Sequence, residues 1–225
     1  MIRGRAIGVV MLALALGAAA GCDRFYYGTM KKFGVEKRDI LIDRVKDARK
    51  AQHEAQEEFK TALERFREVI EVDGGTLEKK YDQLNGQLER AEKRARAVTD
   101  RVTSVQDVSD DLFNEWKKEL GQYSDRRMRA ESERELQATR KRTEGLIAAM
   151  RKSEQRIEPV LRPLRDRVLF LKHNLNAKAL GALASELAAV EGNVDSLVTE
   201  LQSAIAEADA YLAEMEQART DEAQS

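Results

Sequence analysis

A single thiol, two imidazoles and forty carboxylates are the reactive inventory of this chain. Cys22 offers a nucleophile or an acylation point; with no second cysteine it forms neither an internal disulfide nor a cysteine zinc site. His53 opens the run His53-Glu54-Ala55-Gln56-Glu57-Glu58, which begins like a zinc-protease helix. Glu57 stands where the second histidine would be, so two ligands and a base cannot assemble there. A di-iron bundle site needs a glutamate three residues before each histidine, and Lys50 and Phe170 hold those places. His53 therefore reads as a helix-surface residue, and His173, beside Asn174, as a hydrogen-bonding residue of a turn. The carboxylates interleave with Arg and Lys at helix-pair spacing, which favours solvated ion pairs over a shared proton site. With no glycine-rich phosphate loop and no serine elbow, the sequence assigns no catalytic residue, cofactor site or metal ligand. An enzyme acting on envelope polymers is accordingly the least supported class of function.

The surroundings of Cys22 give it a different use. Arg3 and Arg5 supply a positive start, Ile7 to Ala20 an uncharged apolar stretch, and Ala18 to Gly21 a small-residue end, which is the layout of an export signal. The apolar run, at about 14 residues, is shorter than the roughly 20 a spanning helix requires. Ala19-Ala20-Gly21-Cys22 resembles the lipobox of bacterial lipoproteins, although leucine is more usual where Ala19 stands. That resemblance implies a signal peptide over residues 1–21 and acylation of Cys22 as the first mature residue; plain secretion with a free thiol and a retained membrane helix are the alternatives. Two or three acyl chains, at roughly 0.8 kcal/mol per buried methylene, would hold the chain on a membrane. By the enterobacterial sorting rule, Asp23 after the acylated cysteine slightly favours the periplasmic face of the inner membrane over the outer membrane. Loss of Arg3 and Arg5 takes the formal net charge from −1 to −3, so no strong overall attraction to anionic lipid or nucleic acid is expected.

Residues 22–35 form an aromatic and basic linker. Phe25, Tyr26, Tyr27, Met30 and Phe33, with Lys31 and Lys32, suit either a membrane interface or the closing of one end of a helical body. Gly28 and Gly34 should divide this linker into short pieces.

The elements behind it are written in sevens. A charged fraction of 35%, two prolines and 5% aromatics point to an all-α chain of elongated antiparallel coiled-coil hairpins forming a long bundle. The first stripe is Leu41, Val45, Ala48, Gln52, Ala55, Phe59, Ala62, Phe66 and Val69. Asp73-Gly74-Gly75 turns the chain, Thr76 caps the return, and the second stripe runs Leu77, Tyr81, Leu84, Leu88, Ala91, Ala95, Val98, Val102 and Val105. This first hairpin, 36–108, should be roughly 50 Å long. Ser109-Asp110-Asp111 should end it, giving way to a short connecting helix, 109–123, with Leu112, Phe113, Trp116, Leu120 and Tyr123 as an apolar plug. "SDRRMRAESERELQATRKRT" should be solvated on every face. A third stripe, Ile147, Met150, Glu154, Ile157, Leu161, Leu164, Val168, Leu171 and Leu175, contains Pro159 and Pro163 and predicts one kinked helix. The fourth, Leu180, Leu183, Leu187, Val190, Val194, Leu197, Leu201, Ala204, Ala208, Tyr211 and Met215, pairs with it to complete a second unit over 109–218, ahead of a frayed tail at 219–225.

Four segments in order, "YYGTMKKFGVEKRDIL" (26–41), "VDGG" (72–75), "LFNEW" (112–116) and "VLFLKHNLNAKALGAL" (168–183), resemble an uncharacterised bacterial lipoprotein family, domain of unknown function 2959. The resemblance implies a helical, envelope-associated protein and no assigned activity. The expected role is a lipid-anchored structural or adaptor protein, joined to the membrane through Cys22 and presenting helix faces to an unidentified envelope partner. The small-residue run "ALGALASELAAV" raises a lipid-binding module as the alternative. Because identical seams can pair between chains as well as within one, both a monomer and a homo-oligomer satisfy the heptads.

Overall fold

The structure, a computed structural model, describes the backbone of residues 21–71, 76–174, 181 and 183–224, and the side chains of 37–71, 76–174, 181 and 183–221. Residues 1–20, where the export signal is expected, Gly74-Gly75, where the turn is expected, and residues 175–180 lie outside the described residues. The chain divides into two compact units, Met1–Asp39 and Ile40–Ser225. Within the described residues the elements are α1 (Gly21–Glu71), α2 (Leu77–Glu119), a 3-10 turn (Leu120–Gln122), α3 (Arg126–Gln155), α4 (Ile157–His173) and α5 (Leu187–Gln224).

The Ile40–Ser225 unit is an up-down-up-down bundle. Arg94 of α2 reaches Glu54 of α1 at 2.5 Å, and Arg101 reaches Asp47 at 3.7 Å, so the two helices run in opposite directions. Arg165 of α4 meets Glu92 of α2 at 2.8 Å while Arg151 of α3 meets Thr103 at 3.4 Å, which sets α3 and α4 antiparallel to α2. Arg142 to Glu214 at 3.2 Å and Lys152 to Glu200 at 2.9 Å set α5 antiparallel to α3. Arg49 pairs with Asp209 and Arg67 with Glu191, closing α5 back onto α1. The two hairpins are thus one four-layer ring of helices, with α3 and α4 sharing a place.

Apolar spacing explains this arrangement. Every member of the first stripe from Leu41 to Val69 is buried, as are Leu84 through Val105 of the second, while Leu77 and Tyr81 are partly covered. On α5 and the turn before it, Leu183, Val190, Val194, Leu197, Leu201, Ala204, Ala208 and Tyr211 are buried in the expected 3-4 rhythm. Thr76 Oγ1 accepts from the Lys79 N–H at 3.3 Å, the expected cap of α2. Lys80 Nζ donates to the Val69 carbonyl at 2.9 Å, occupying one of the open acceptors near the end of α1.

Several expectations need correction. Gly28 and Gly34 do not break the linker, because α1 is helical from Gly21. Ser109-Asp110-Asp111 does not end α2. Ser109 is buried and its Oγ donates to the Gln106 carbonyl at 2.8 Å, so it serves as a small core residue and the seam runs on through Leu112, Phe113 and Leu120. The helix then spans about 65 Å rather than 50 Å. The "solvated" segment is exposed only over its first part; Leu136, Thr139 and Thr143 enter the core. Ser153, not Glu154, is the seam residue of the following turn. The single kinked helix is two helices. Pro159 has no N–H for the Gln155 carbonyl and its ring crowds that group, so α3 closes at Gln155, Arg156 makes the turn, and Pro159 falls in the first turn of α4 where it is tolerated. At the far end α5 is helical to Gln224, so the 219–225 tail does not fray from its first residue.

Asp125 starts α3, its carboxylate accepting from the N–H groups of Arg127 at 2.7 Å and Met128 at 3.3 Å. Asp125→Ala should lower stability by about 1 kcal/mol, seen as an earlier urea midpoint with an unchanged slope.

Candidate functional site

The proposed chemistry at the amino end is carried by residues whose backbone lies in α1: Cys22, Phe25, Tyr26, Tyr27, Met30, Lys31, Lys32 and Phe33. Their side chains lie outside the described residues. In the Ile40–Ser225 unit, the reactive groups are dispersed. His53 and His173 are both exposed. The carboxylates that follow His53 point to different cations, Glu54 to Arg94, Glu57 to Lys60 at 3.0 Å and Glu58 to Arg90 at 3.4 Å, and Glu58 also accepts from the Gln87 amide at 2.6 Å. The hydrogen bond from Lys60 holds the Glu57 carboxyl below its ordinary value. Among the described residues no group of three His, Cys, Asp or Glu side chains could hold a metal ion.

An open groove of about 620 Å³ follows α2 beside the α3–α4 junction, bordered by Glu92, Arg96, Arg151, Glu154 and Arg165. Most of its charges are paired. Arg151 meets Glu154 at 2.8 Å; Arg165 meets Glu92 and, at 3.2 Å, Glu158, and these two hydrogen bonds, Glu92 first, hold its guanidinium above its ordinary pKa. These are exposed or half-exposed pairs that steady the register of the helices by a few tenths of a kcal/mol each.

The interior carries a second set of polar groups that the sequence only partly announced. Gln52 of α1 and Ser153 of α3 are both fully buried, and Gln52 Nε2 donates to Ser153 Oγ at 3.0 Å across the diagonal of the bundle. Ser153 Oγ in turn donates to the Met150 carbonyl at 2.8 Å. One level away Thr143 Oγ1 donates to the Thr139 carbonyl at 2.9 Å, so the Tyr211 hydroxyl, 3.0 Å off, donates to Thr143. In both cases a hydroxyl bound back to its own helix accepts from another helix. The seams are thereby locked in register, since sliding one helix strands a buried polar group.

Among the described residues, Gln52 Oε1 is buried without a hydrogen-bond partner. Ser153→Ala removes the one acceptor of its Nε2 as well, and should cost about 1–3 kcal/mol. Gln52→Leu with Ser153→Ala should recover most of that loss, because no polar group is then stranded. Urea unfolding of the two single variants and the double variant measures the coupling directly.

Among the described residues, Ile40, Tyr123, Met128, Leu169 and Phe170 are the large apolar side chains left exposed. Among the described residues no helix is long and apolar enough to cross a membrane.

A family model described as "Protein of unknown function (DUF2959)" matches residues 26–215 of the chain. The chain belongs to the DUF2959 family. The match begins at the Tyr26-Tyr27 pair and ends at Met215, the last member of the fourth stripe, so DUF2959 covers the linker from Tyr26 onward and all four seams, with Cys22 to Phe25 outside it. No curated protein matches this DUF2959 chain.

Proposed function

We propose that this protein is a lipid-anchored structural or adaptor component of a bacterial envelope, held to the periplasmic face of a membrane by acyl chains on Cys22. The single observation that carries this reading is the distribution of polar chemistry in the described residues. Buried polar groups such as Gln52, Ser153, Thr143 and Tyr211 are spent on joining helices, and the histidines and carboxylates are spread over outer faces. Such a molecule offers long helix faces and a position at a membrane. The lipobox-like Ala19-Ala20-Gly21-Cys22 supports the anchor.

The test is affinity isolation of the full chain from detergent-solubilised envelopes after cross-linking in the intact cell. The reading expects one envelope protein recovered in near-stoichiometric amount, with cross-links mapping to exposed faces of α2 to α5. Uniform recovery of abundant envelope proteins, with cross-links scattered at random, would count against an adaptor role.

A further inference from the structure

The turn between α2 and α3 gathers five cations at the extremity of one hairpin. Lys117 and Lys118 lie in the last turn of α2, and Arg126, Arg127 and Arg129 open α3. All five are exposed, as is every residue from Gly121 to Glu131. Among the described residues none of the five forms an ion pair, whereas Arg140 and Arg142, further along α3, meet Glu144 and Glu214. Tyr123, 37% exposed, and Met128, 56% exposed, stand among the cations.

Helix stability accounts for the lysines and not for the arginines. Positive charge in the last turn of α2 complements the helix dipole. At the first turn of α3 it opposes the dipole, no acidic residue lies in that turn, and the Asp125 carboxylate is occupied by two backbone N–H groups. A local arrangement that works against its own helix marks a surface with another task.

The place of this tip in the Ile40–Ser225 unit indicates the task. Because Asp47 pairs with Arg101, Ile40 stands level with the region of Val108, and α2 continues past that level for about another 16 Å of helix. The tip is therefore at the end of the unit where the chain from Cys22 enters. Nineteen residues, Cys22 to Ile40, join that end of the unit to the proposed acylation site.

We propose that the α2–α3 tip docks on a bilayer surface carrying anionic phospholipid headgroups, its five cations meeting phosphates while Tyr123 and Met128 enter the interfacial layer. Long basic side chains with an aromatic ring and a thioether among them are the composition an interfacial contact uses. The turn is exposed throughout, the open groove of about 760 Å³ beside it is lined by Arg127, Ala130, Glu131, Glu133, Arg134 and Gln137, and a headgroup layer can mould around both. The proposal rests on the anchored reading for its choice of lipid as occupant.

Trp116 is the only tryptophan, so Trp116→Phe with Tyr123→Trp moves the single reporter to the tip. The full chain carrying this pair is reconstituted in phosphatidylcholine vesicles with and without phosphatidylglycerol. The expected result is a blue-shifted, acrylamide-protected emission in the anionic vesicles alone, reversed by about 0.5 M salt. Adding Lys117→Gln, Lys118→Gln, Arg126→Gln, Arg127→Gln and Arg129→Gln should reduce the protected fraction at least ~10-fold. Equal emission in both vesicles overturns the proposal, as does protection that survives in the glutamine variant. An acidic protein partner would appear as protection by envelope extract with none from anionic vesicles, and that too overturns it. Intact-mass measurement of Cys22 is read separately: an acylated chain with an unresponsive tip refutes the tip alone, and a responsive tip on an unacylated chain refutes the anchor alone.

Discussion

Phe59→Ala should cost about 3–5 kcal/mol of unfolding free energy, a large part of the 5–15 kcal/mol typical of a folded domain. Phe59 is fully buried, and its seam neighbours on α1 include Ala55 and Ala62. Small residues on either side leave Phe59 and Phe66 to fill most of the volume on this face, so the cavity left by truncation has little nearby bulk to collapse into. Phe59→Leu retains much of that volume and should cost less than half as much. Urea unfolding followed by helical circular dichroism measures both. A loss under ~1 kcal/mol for the alanine variant would mean that α1 does not pack as described.

Cys22→Ser should reduce incorporation of labelled fatty acid into the protein to background, because acyl attachment at this position requires the thiol. It should also leave residues 1–21 in place, giving a heavier polypeptide. The energetic consequence is large: at roughly 0.8 kcal/mol per buried methylene, one chain binds marginally and two or three bind stably, so the variant loses the whole acyl contribution and keeps only the retained apolar stretch. Fatty-acid labelling retained in the serine variant would place any acyl group elsewhere.

The legibility of this fold follows from which atoms fill each seam position. Leu41 to Val69 and Leu183 to Tyr211 announce themselves because apolar side chains recur at three and four residues, and Gln52 can be placed in the core as the lone polar member of a long stripe. Ser109, Thr139, Thr143 and Ser153 are buried without announcing themselves. Three of these hydroxyls donate to a carbonyl of their own helix, Ser109 to Gln106, Thr143 to Thr139 and Ser153 to Met150, which removes the penalty of burying the proton and lets the side chain pack as a small apolar one. Hydrophobicity alone therefore ends α2 too early, makes the start of α3 solvated throughout, and sets the third stripe on Glu154. The Pro159 effect was visible as a bend, but its position one turn beyond Gln155 converts a bend into a helix end. The surface position of His53 was legible, since it lies one residue off the seam position Gln52. The cationic tip was not, since Lys117 and Arg126 belong to separate helices and come together only through the turn at Leu120–Gln122.

Intact-mass measurement of the protein purified from membranes bears most directly on the claim that acyl chains on Cys22 hold it there. The expected species begins at Cys22 and exceeds its polypeptide mass by two or three fatty chains. A chain that still begins at Met1, or one cleaved and carrying a free Cys22 thiol, would contradict it.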